Sequence, residues 1–383
     1  MGELKIKSGY VDKIPKINIQ FDKHSVDDLQ GIVNGWGAYN PVVMINDYIP
    51  DGAAVLDLSI NFSINKLPTF AITINDENFN IRKALKKEDI DTITVAIGTK
   101  NWLLKFYGII YNSPSETDNE DIYLYGDIYN EKWYNQEQKS YKSKTVLNVI
   151  EDLCKSTDSG LYVFNNSKLD INQPYIVNPN SKYLSFLTFL LKNYTDCVWC
   201  YDNNGILYIG NIDDMRKSDV DKFKIYEDNV LDTEKPIIIT NYNQEKDKKY
   251  EKFGISGYTV SSDNGIKKLL SKQIYRYNKF DDMNKNVTTP QKEPVTNIYS
   301  KQITVSMLQN IFEINPFSIV DLELFLPRTD NNQSEPRKKD EELSGKKVVI
   351  GIEYIYSMYG GDKHPAIQQK LTTRIYQKYG INK

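Results

Sequence analysis

The sequence predicts a mainly β protein with an α+β insert: two antiparallel β-barrels with a small α/β domain between them. Three observations carry this. Residues 56–64 alternate apolar and polar side chains, the period of a strand with one buried face. Residues 143–155 switch to helical spacing, with apolar side chains at Val146, Leu147, Ile150, Leu153 and Cys154. Beyond residue 216, strand-period sequence resumes and runs to the C-terminus. The expected division is 1–135 for the first barrel, 136–215 for the insert and 216–383 for the second barrel, which carries long polar loops.

In the first block, residues 16–21 alternate cleanly and read as a strand. A Gly-rich turn region, 31–41, follows, then a strand at 42–49. Within 56–64, Leu56, Leu58, Ile60, Phe62 and Ile64 share one face. Further strands are expected at 69–74, 92–97, 102–111 and 121–128, separated by breakers at Pro68, Asn75–Asp76, Gly98 and Ser113–Pro114. Short strands at this spacing indicate a closed or nearly closed antiparallel barrel, or a sandwich.

In the insert, Ser143 is placed to cap the first helix. Residues 161–164 read as a short strand. Residues 179–181 start a second helix over 183–194, with Leu184, Leu187, Leu190 and Leu191 in one stripe. Strands 198–201 and 206–209, joined by Asp202 to Gly205, read as a hairpin with a tight turn.

In the last block, strands are expected at 222–226, 237–242, 253–260, 303–308, 319–326, 347–358 and 370–376. Polar stretches at 243–252, 278–297 and 327–345 interrupt them. The third cannot bury enough apolar surface to fold alone, and reads as a mobile loop or a segment ordered by a partner. The two β blocks have comparable strand content, as an internal duplication would give, without a residue-level repeat to show it.

Composition narrows the function. The chain has 383 residues, 40% apolar and 26% charged, enough for two or three domains with their own cores. A formal charge of -3, from 48 basic against 51 acidic residues, does not suit a protein that coats nucleic acid by neutralising phosphates. It does not exclude a wall facing DNA, since a nearly neutral or mildly negative lining would let DNA pass without sticking. Tyr is abundant at 28 and His scarce at 2; Tyr fits strands and protein–protein interfaces. Three cysteines, Cys154, Cys197 and Cys200, are too few for a secreted disulfide framework. The N-terminus lacks the apolar core of a signal peptide, and no stretch approaches the roughly 20 apolar residues of a membrane span. A soluble protein made in a reducing cytoplasm, without membrane insertion, is expected.

No catalytic, cofactor-binding or metal-binding residue is assigned, and no cofactor is expected. Cys197 and Cys200 form a lone CxxC on a predicted strand. A zinc site needs four ligands, and a redox pair belongs at a helix N-terminus. Val198 and Cys200 should share one strand face, Cys197 and Trp199 the other. His24 and His364 lie near turns at opposite ends of the chain, with no nucleophile motif to match them. Glu151 and Asp152 read as the solvated face of the first helix, and Asp213–Asp214 as the turn closing the hairpin. The segment from Asp202 to Gly205 is too short for a calcium loop. Gly35 and Gly37 lack the third glycine of a dinucleotide motif. Lys248–Lys249 and Lys338–Lys339 sit among acidic residues and read as solvated loops.

The order of segments resembles the central hub protein of myovirus tail baseplates. That family shares its fold with late-control protein D and with the N-terminal part of type VI secretion spike proteins. The resemblance rests on the strand 102–110, with its Gly108-x-Ile110 step, followed by 122–127. It continues through the helix pattern of Thr145, Val146, Val149, Ile150 and Leu153. Next comes the Asn178–Ser181 segment leading to Phe186 and Leu187, and then the acidic–Gly hairpin turn. Residues 310–320 resemble the strand before the closing β pair, and 347–358 with 371–376 resemble that pair. It covers most of the chain as a pattern, and the joint order of the motifs carries it.

The resemblance implies tail-tube-like barrels and a homotrimer whose barrels, two per subunit, form a ring. Its implied partners are the tail tube protein on the sixfold side and the central spike protein on the threefold side. Other baseplate components would bind the insert, and the tape measure protein joins the partner list. DNA would only pass through the lumen during ejection. The implied place is the virion, in the tail baseplate, as a late structural protein made in the host cytoplasm. The chain shows no C-terminal spike, lysozyme or peptidase extension, so it is not expected to be an enzyme. Two other readings stand beside the hub. A carbohydrate-binding tail adhesin would use the aromatic supply but leaves the helical insert unexplained. A tail-associated cell-wall hydrolase would need catalytic residues that the sequence does not offer.

Overall fold

A computed structural model describes residues 2–15, 41–51, 54–85, 90–99, 102–112, 120–217, 222–226, 239–246, 256–261, 265–272, 299–307, 314–326, 337–341, 343–361 and 364–377. The strand expected at 16–21, nearly all of the turn region 31–41, and the polar stretch 278–297 lie outside these residues.

The chain opens with β1 (Glu3–Ile6), β2 (Val42–Ile45), β3 (Val55–Ser63), β4 (Thr69–Asn75), α1 (Asn80–Leu85), β5 (Thr92–Thr99), β6 (Trp102–Ile110) and β7 (Asp121–Ile128). There follow β8 (Gln136–Thr145), α2 (Val146–Ser156), β9 (Gly160–Val163), β10 (Asn172–Lys182), α3 (Tyr183–Tyr194), β11 (Val198–Tyr201), β12 (Ile206–Gly210) and α4 (Ile212–Lys217). The last part holds β13 (Lys222–Tyr226), β14 (Ile239–Lys246), β15 (Ser256–Ser261), β16 (Gly265–Lys272), β17 (Tyr299–Met307), β18 (Ile319–Glu323), β19 (Gly345–Gly361) and β20 (His364–Gln377). The protein is mainly β.

The period-2 pattern of β3 holds in its middle: Leu58, Ile60 and Phe62 are buried, while Asp57, Ser59 and Asn61 point away from the core. At the ends Leu56 and Ile64 are only partly buried, and a register shift between Val55 and Asp57 puts Val55 in the core. Its neighbours come from both ends of the chain. One sheet of 12 strands runs β14-β17-β20-β19-β3-β4-β7-β6-β5-β2, with β13 and β18 joined through β19. The seam is β19 against β3, antiparallel, from Gly351 opposite Ser63 to Ser357 opposite Asp57. Phe62 meets Phe106 and Tyr354 edge-on, with ring centroids 6.4 and 6.3 Å away. One core therefore spans both β blocks, a junction that strand periodicity does not reveal. Each such ring contributes about 1.5–3 kcal/mol by leaving water.

The insert builds a second sheet in the order β1-β9-β12-β11. β12 lies parallel to β9, and β1 antiparallel to it. The N-terminal strand thus hydrogen-bonds to the insert, not to the strands of residues 42–128. α2 packs over this sheet against β1 and β9, and α3 packs on α2 and β10; their apolar sides bury Val146, Val149, Ile150, Phe186, Leu187 and Leu190. β8 and β10 form a separate two-stranded ribbon.

Several expected boundaries move. The cap of α2 is Thr145, whose Oγ1 accepts from the Asn148 amide at 3.1 Å while Asn148 reaches back to the Thr145 amide. Ser143 instead lies in β8 with φ of 49°. Residues 179–181 finish β10. Asp213 and Asp214 belong to α4, not to a turn, with the Asp214 amide donating to Asn211 Oδ1 at 3.1 Å. Residues 243–246 continue β14. The end of the 327–345 stretch is ordered by this chain itself: Leu326 donates to the Lys338 carbonyl and Asp340 to that of Leu324, both at 2.8 Å, and Leu343 is buried.

Candidate functional site

The groups considered for chemistry do not converge. Cys154, Cys197 and Cys200 are free thiols, all buried. Cys197 and Trp199 face the main core. Cys200 faces a smaller cluster with Ile212, Met215, Phe317, Val348 and Ile350, against which Val198 also packs. Alternation along β11 therefore sends the two cysteines to opposite sides, and they cannot jointly hold an ion. Burial pushes the Cys197 thiol up to about 11 and Cys154 and Cys200 higher, which keeps all three protonated. His364 opens β20 opposite Gly361; His24, Gly35, Gly37 and Lys248–Lys249 lie outside the described residues. Glu151 and Asp152 are partly exposed on α2. Lys339 bridges Phe325.

Asp202 has a structural occupation. Its Oδ1 accepts from the amides of Asn204 and Ile206 at 2.9 and 2.8 Å, and its Oδ2 from Tyr208 at 3.1 Å. Gly205 completes the turn at φ of 74°, where a Cβ would lie 2.4 Å from Cβ of Tyr10. Tyr10 in turn donates its hydroxyl to the Tyr107 carbonyl at 2.7 Å. The hairpin tip is thereby pressed onto the main sheet. A buried network strengthens this docking: Asn130 Nδ2 donates to Thr157 O at 3.0 Å, Ser159 Oγ at 3.2 Å and Tyr201 Oη at 3.0 Å. At the other end of β11, the Asn65 amide donates to Trp199 O at 2.7 Å. The insert is fixed against the sheet, not hung from it.

What remains is a surface. Because the strands alternate, the side of the main sheet opposite its core can be read row by row. One row runs Ser306, Lys370, Glu353, Asn61, Thr69, Asp127 across the seam. The next runs Gln368, Ile355, Ser59, Ala71, Tyr125. From β17 to β4 the face is mainly polar, with Ile355 and Ala71 the apolar members of these rows; Lys370 lies 3.7 Å from Glu353, to which Ser59 donates at 3.1 Å.

At β7 the face changes character. Tyr111, Tyr123 and Tyr125 are exposed by 51%, 54% and 45%, far more than the buried Phe62, Phe70, Phe106, Tyr354 and Tyr356 of the same sheet. The Tyr123 and Tyr125 rings stand 5.9 Å apart. Asp127 shares their side of β7 and is buried; its Oδ2 takes the Tyr134 hydroxyl, while Oδ1 has no hydrogen-bond partner among the described residues. Loss of solvent raises the Asp127 carboxyl above its ordinary value and Tyr134 to about 12. The signal for this patch was present in the sequence as Tyr123-x-Tyr125, two large rings at strand spacing on the side away from Ile122 and Leu124.

No family model and no curated protein sequence matches this chain. Solved structures do. The tail protein from Neisseria meningitidis MC58 aligns over 88% of this chain and 96% of its own, at TM-score 0.52 and 13% identity. The 43 kDa tail protein of prophage MuSo2 from Shewanella oneidensis covers 87% of this chain and 97% of its own, at TM-score 0.49 and 13% identity. A type VI secretion component from Escherichia coli covers 85% and 74%, at TM-score 0.46 and 9% identity. The first of these establishes a fold: along nearly the whole length of both chains, this protein is folded like the Neisseria tail protein.

Proposed function

We propose that this protein is the structural hub of a phage tail baseplate. Three copies form a ring that adapts the sixfold tail tube to the threefold central spike and lines the DNA channel. The observation that carries this is the seam: strands from both β blocks form one sheet, which curls into half a barrel. From β17 to β4 its outer face is mainly polar, with Lys370 beside Glu353. Such a stretch offers a passing polyanion few cationic anchors. The fold shared with a tail protein supports the same assignment.

Under this reading each β block serves as one tube-like barrel of the ring, so that two per subunit let three copies present sixfold symmetry. The tail tube protein docks on one side and the spike protein on the other. The α/β insert lies outside the ring, where other baseplate components bind it, and the tape measure protein contacts the hub during assembly. DNA passes through without specific binding. No helix among the described residues is long and apolar enough to cross a membrane, and the hub needs none. The protein acts in the virion tail as a non-enzymatic part.

Mass measurement with low-resolution imaging of the purified full chain tests this. A threefold ring, formed alone or on addition of a tube protein, is the expected result. A chain that stays monomeric under both conditions and binds glycans would be an adhesin instead. Clear lysis on a peptidoglycan zymogram would overturn the non-enzymatic assignment.

A further inference from the structure

We propose that the tyrosine platform on β6 and β7 receives the lysine-bearing β8–β10 ribbon of a second copy of this chain, and that this contact closes the ring. The inference rests on the hub reading and names the interface which that reading leaves open.

The platform consists of Tyr111, Tyr123 and Tyr125, each about half exposed. Exposed Glu120 and Asp121 border it, and Asp127 lies on the same side of β7. Its chemistry is aromatic and anionic. The ribbon is the opposite. Among the described residues β8 and β10 pair only with each other, and most of their side chains are exposed. Lys142, Lys144 and Lys182 project into solvent, and neither they nor Lys139 form an ion pair with a described residue.

Lysines of this ribbon already favour tyrosine rings within one copy. Lys182 Nζ sits 5.2 Å from the Tyr134 ring centre, and Lys139 Nζ 5.2 Å from that of Tyr141. Desolvated cation–π pairs of this kind add to buried tyrosine area, the composition of interface hot spots. Both halves of the complementary pair are on the same polypeptide but on different strands. Used once per pair of copies, the contact is heterologous, the type that propagates around a ring until it closes; used reciprocally, it would give a twofold dimer instead. A sugar could stack on the tyrosines but would leave the lysines without a partner. A nucleic acid could take the lysines but would be repelled by the carboxylates.

The test is a charge exchange in the full chain, read by analytical ultracentrifugation at low and high salt. Lys142→Glu with Lys144→Glu should weaken self-association at least tenfold, and Glu120→Lys with Asp121→Lys should do the same. Combining all four should restore the trimer. Tyr123→Ala with Tyr125→Ala should also weaken it at least tenfold, while the monomer stays folded with only a small loss of stability, because the rings are about half exposed. As a second measurement, a mixture of Lys142→Cys and Tyr123→Cys chains should cross-link between copies on oxidation.

Charge variants that trimerise like the wild type, or a mixture that fails to cross-link, overturn this interface and leave the hub reading standing. A wild-type chain that stays monomeric with and without a tube protein overturns both. A twofold dimer, or a glycan whose binding needs the tyrosines while the trimer does not, also rejects the proposed contact.

Discussion

Gly126 leaves no room for a side chain: a Cβ there would lie 1.7 Å from the carbonyl oxygen of Ile109 across the β6–β7 pair, and 2.9 Å from the Phe70 ring. Gly126→Ala should therefore cost about 1–3 kcal/mol through forced strand separation, seen as a lower urea midpoint. One residue on, Asp127 supplies a pH signature. Burial raises its carboxyl above the ordinary value, so the folded state binds its proton more tightly than the unfolded chain does. The stability it contributes is fully present below the unfolded pKa of about 3.9. It is lost as pH rises through the higher folded value. Asp127→Asn keeps an acceptor for Tyr134 and removes this titration. The stability difference between variant and wild type should grow as pH rises from 4 to 7 in urea titrations, and a flat difference would refute the assignment. At this scale the sequence was partly legible. Gly108 stood out in its Gly108-x-Ile110 step, but the close approach that demands a glycine at 126 is a cross-strand fact. The burial of Asp127 was invisible, because it depends on Tyr134 folding back over the strand.

Elements with strong internal periodicity were readable, and elements defined by their partners were not. α3 spans the residues its leucine stripe marked, and the β11–β12 hairpin follows its Asp202-to-Gly205 turn. β8 escaped notice because Tyr141 is its only large apolar residue. Its polar residues hold strand geometry through the ladder to β10, from Thr145 opposite Asn172 to Gln136 opposite Lys182. Since that ribbon is half of the proposed interface, the candidate site was only half visible from sequence. The short helix α1 shows the same dependence. Asp76, itself buried, accepts from the amides of Ile81 and Arg82 at 2.9 and 3.2 Å, and its Oδ2 meets Arg82 Nη1 at 3.2 Å. Asp76→Ala removes the cap and the carboxylate that Arg82 Nη1 meets, so a cost of about 2–3 kcal/mol is expected. Asp76→Ala with Arg82→Met should recover part of that loss, because a buried charge that has lost its carboxylate goes with the second substitution. Calorimetric unfolding of the two variants checks this, and a double variant less stable than the single one would contradict it.

On the scale of the molecule, the order of β block, insert and β block could be read from changes of period, whereas the seam between the blocks could not. Nothing in the pattern of β3 states which strand will pair with it, because alternation specifies a buried face and not a neighbour. The pairing of Gly351–Ser357 with Asp57–Ser63 joins segments almost 300 residues apart, and loop-closure entropy makes such contacts late and costly to form. Its consequence is that the first block and insert are not expected to be self-sufficient. A chain ending at residue 217 would lose β19, leaving the β3 edge unpaired and Phe62 without its Tyr354 neighbour. A long exposed edge beside an apolar core is an aggregation template. The fragment 1–217 should therefore be recovered mainly as aggregates, with soluble material lacking a cooperative melt. The full chain should unfold with both β blocks in one transition, since they share a sheet and a core. A monodisperse 1–217 fragment that melts cooperatively would show that the first block closes without the second, and would weaken the seam as the basis of the ring.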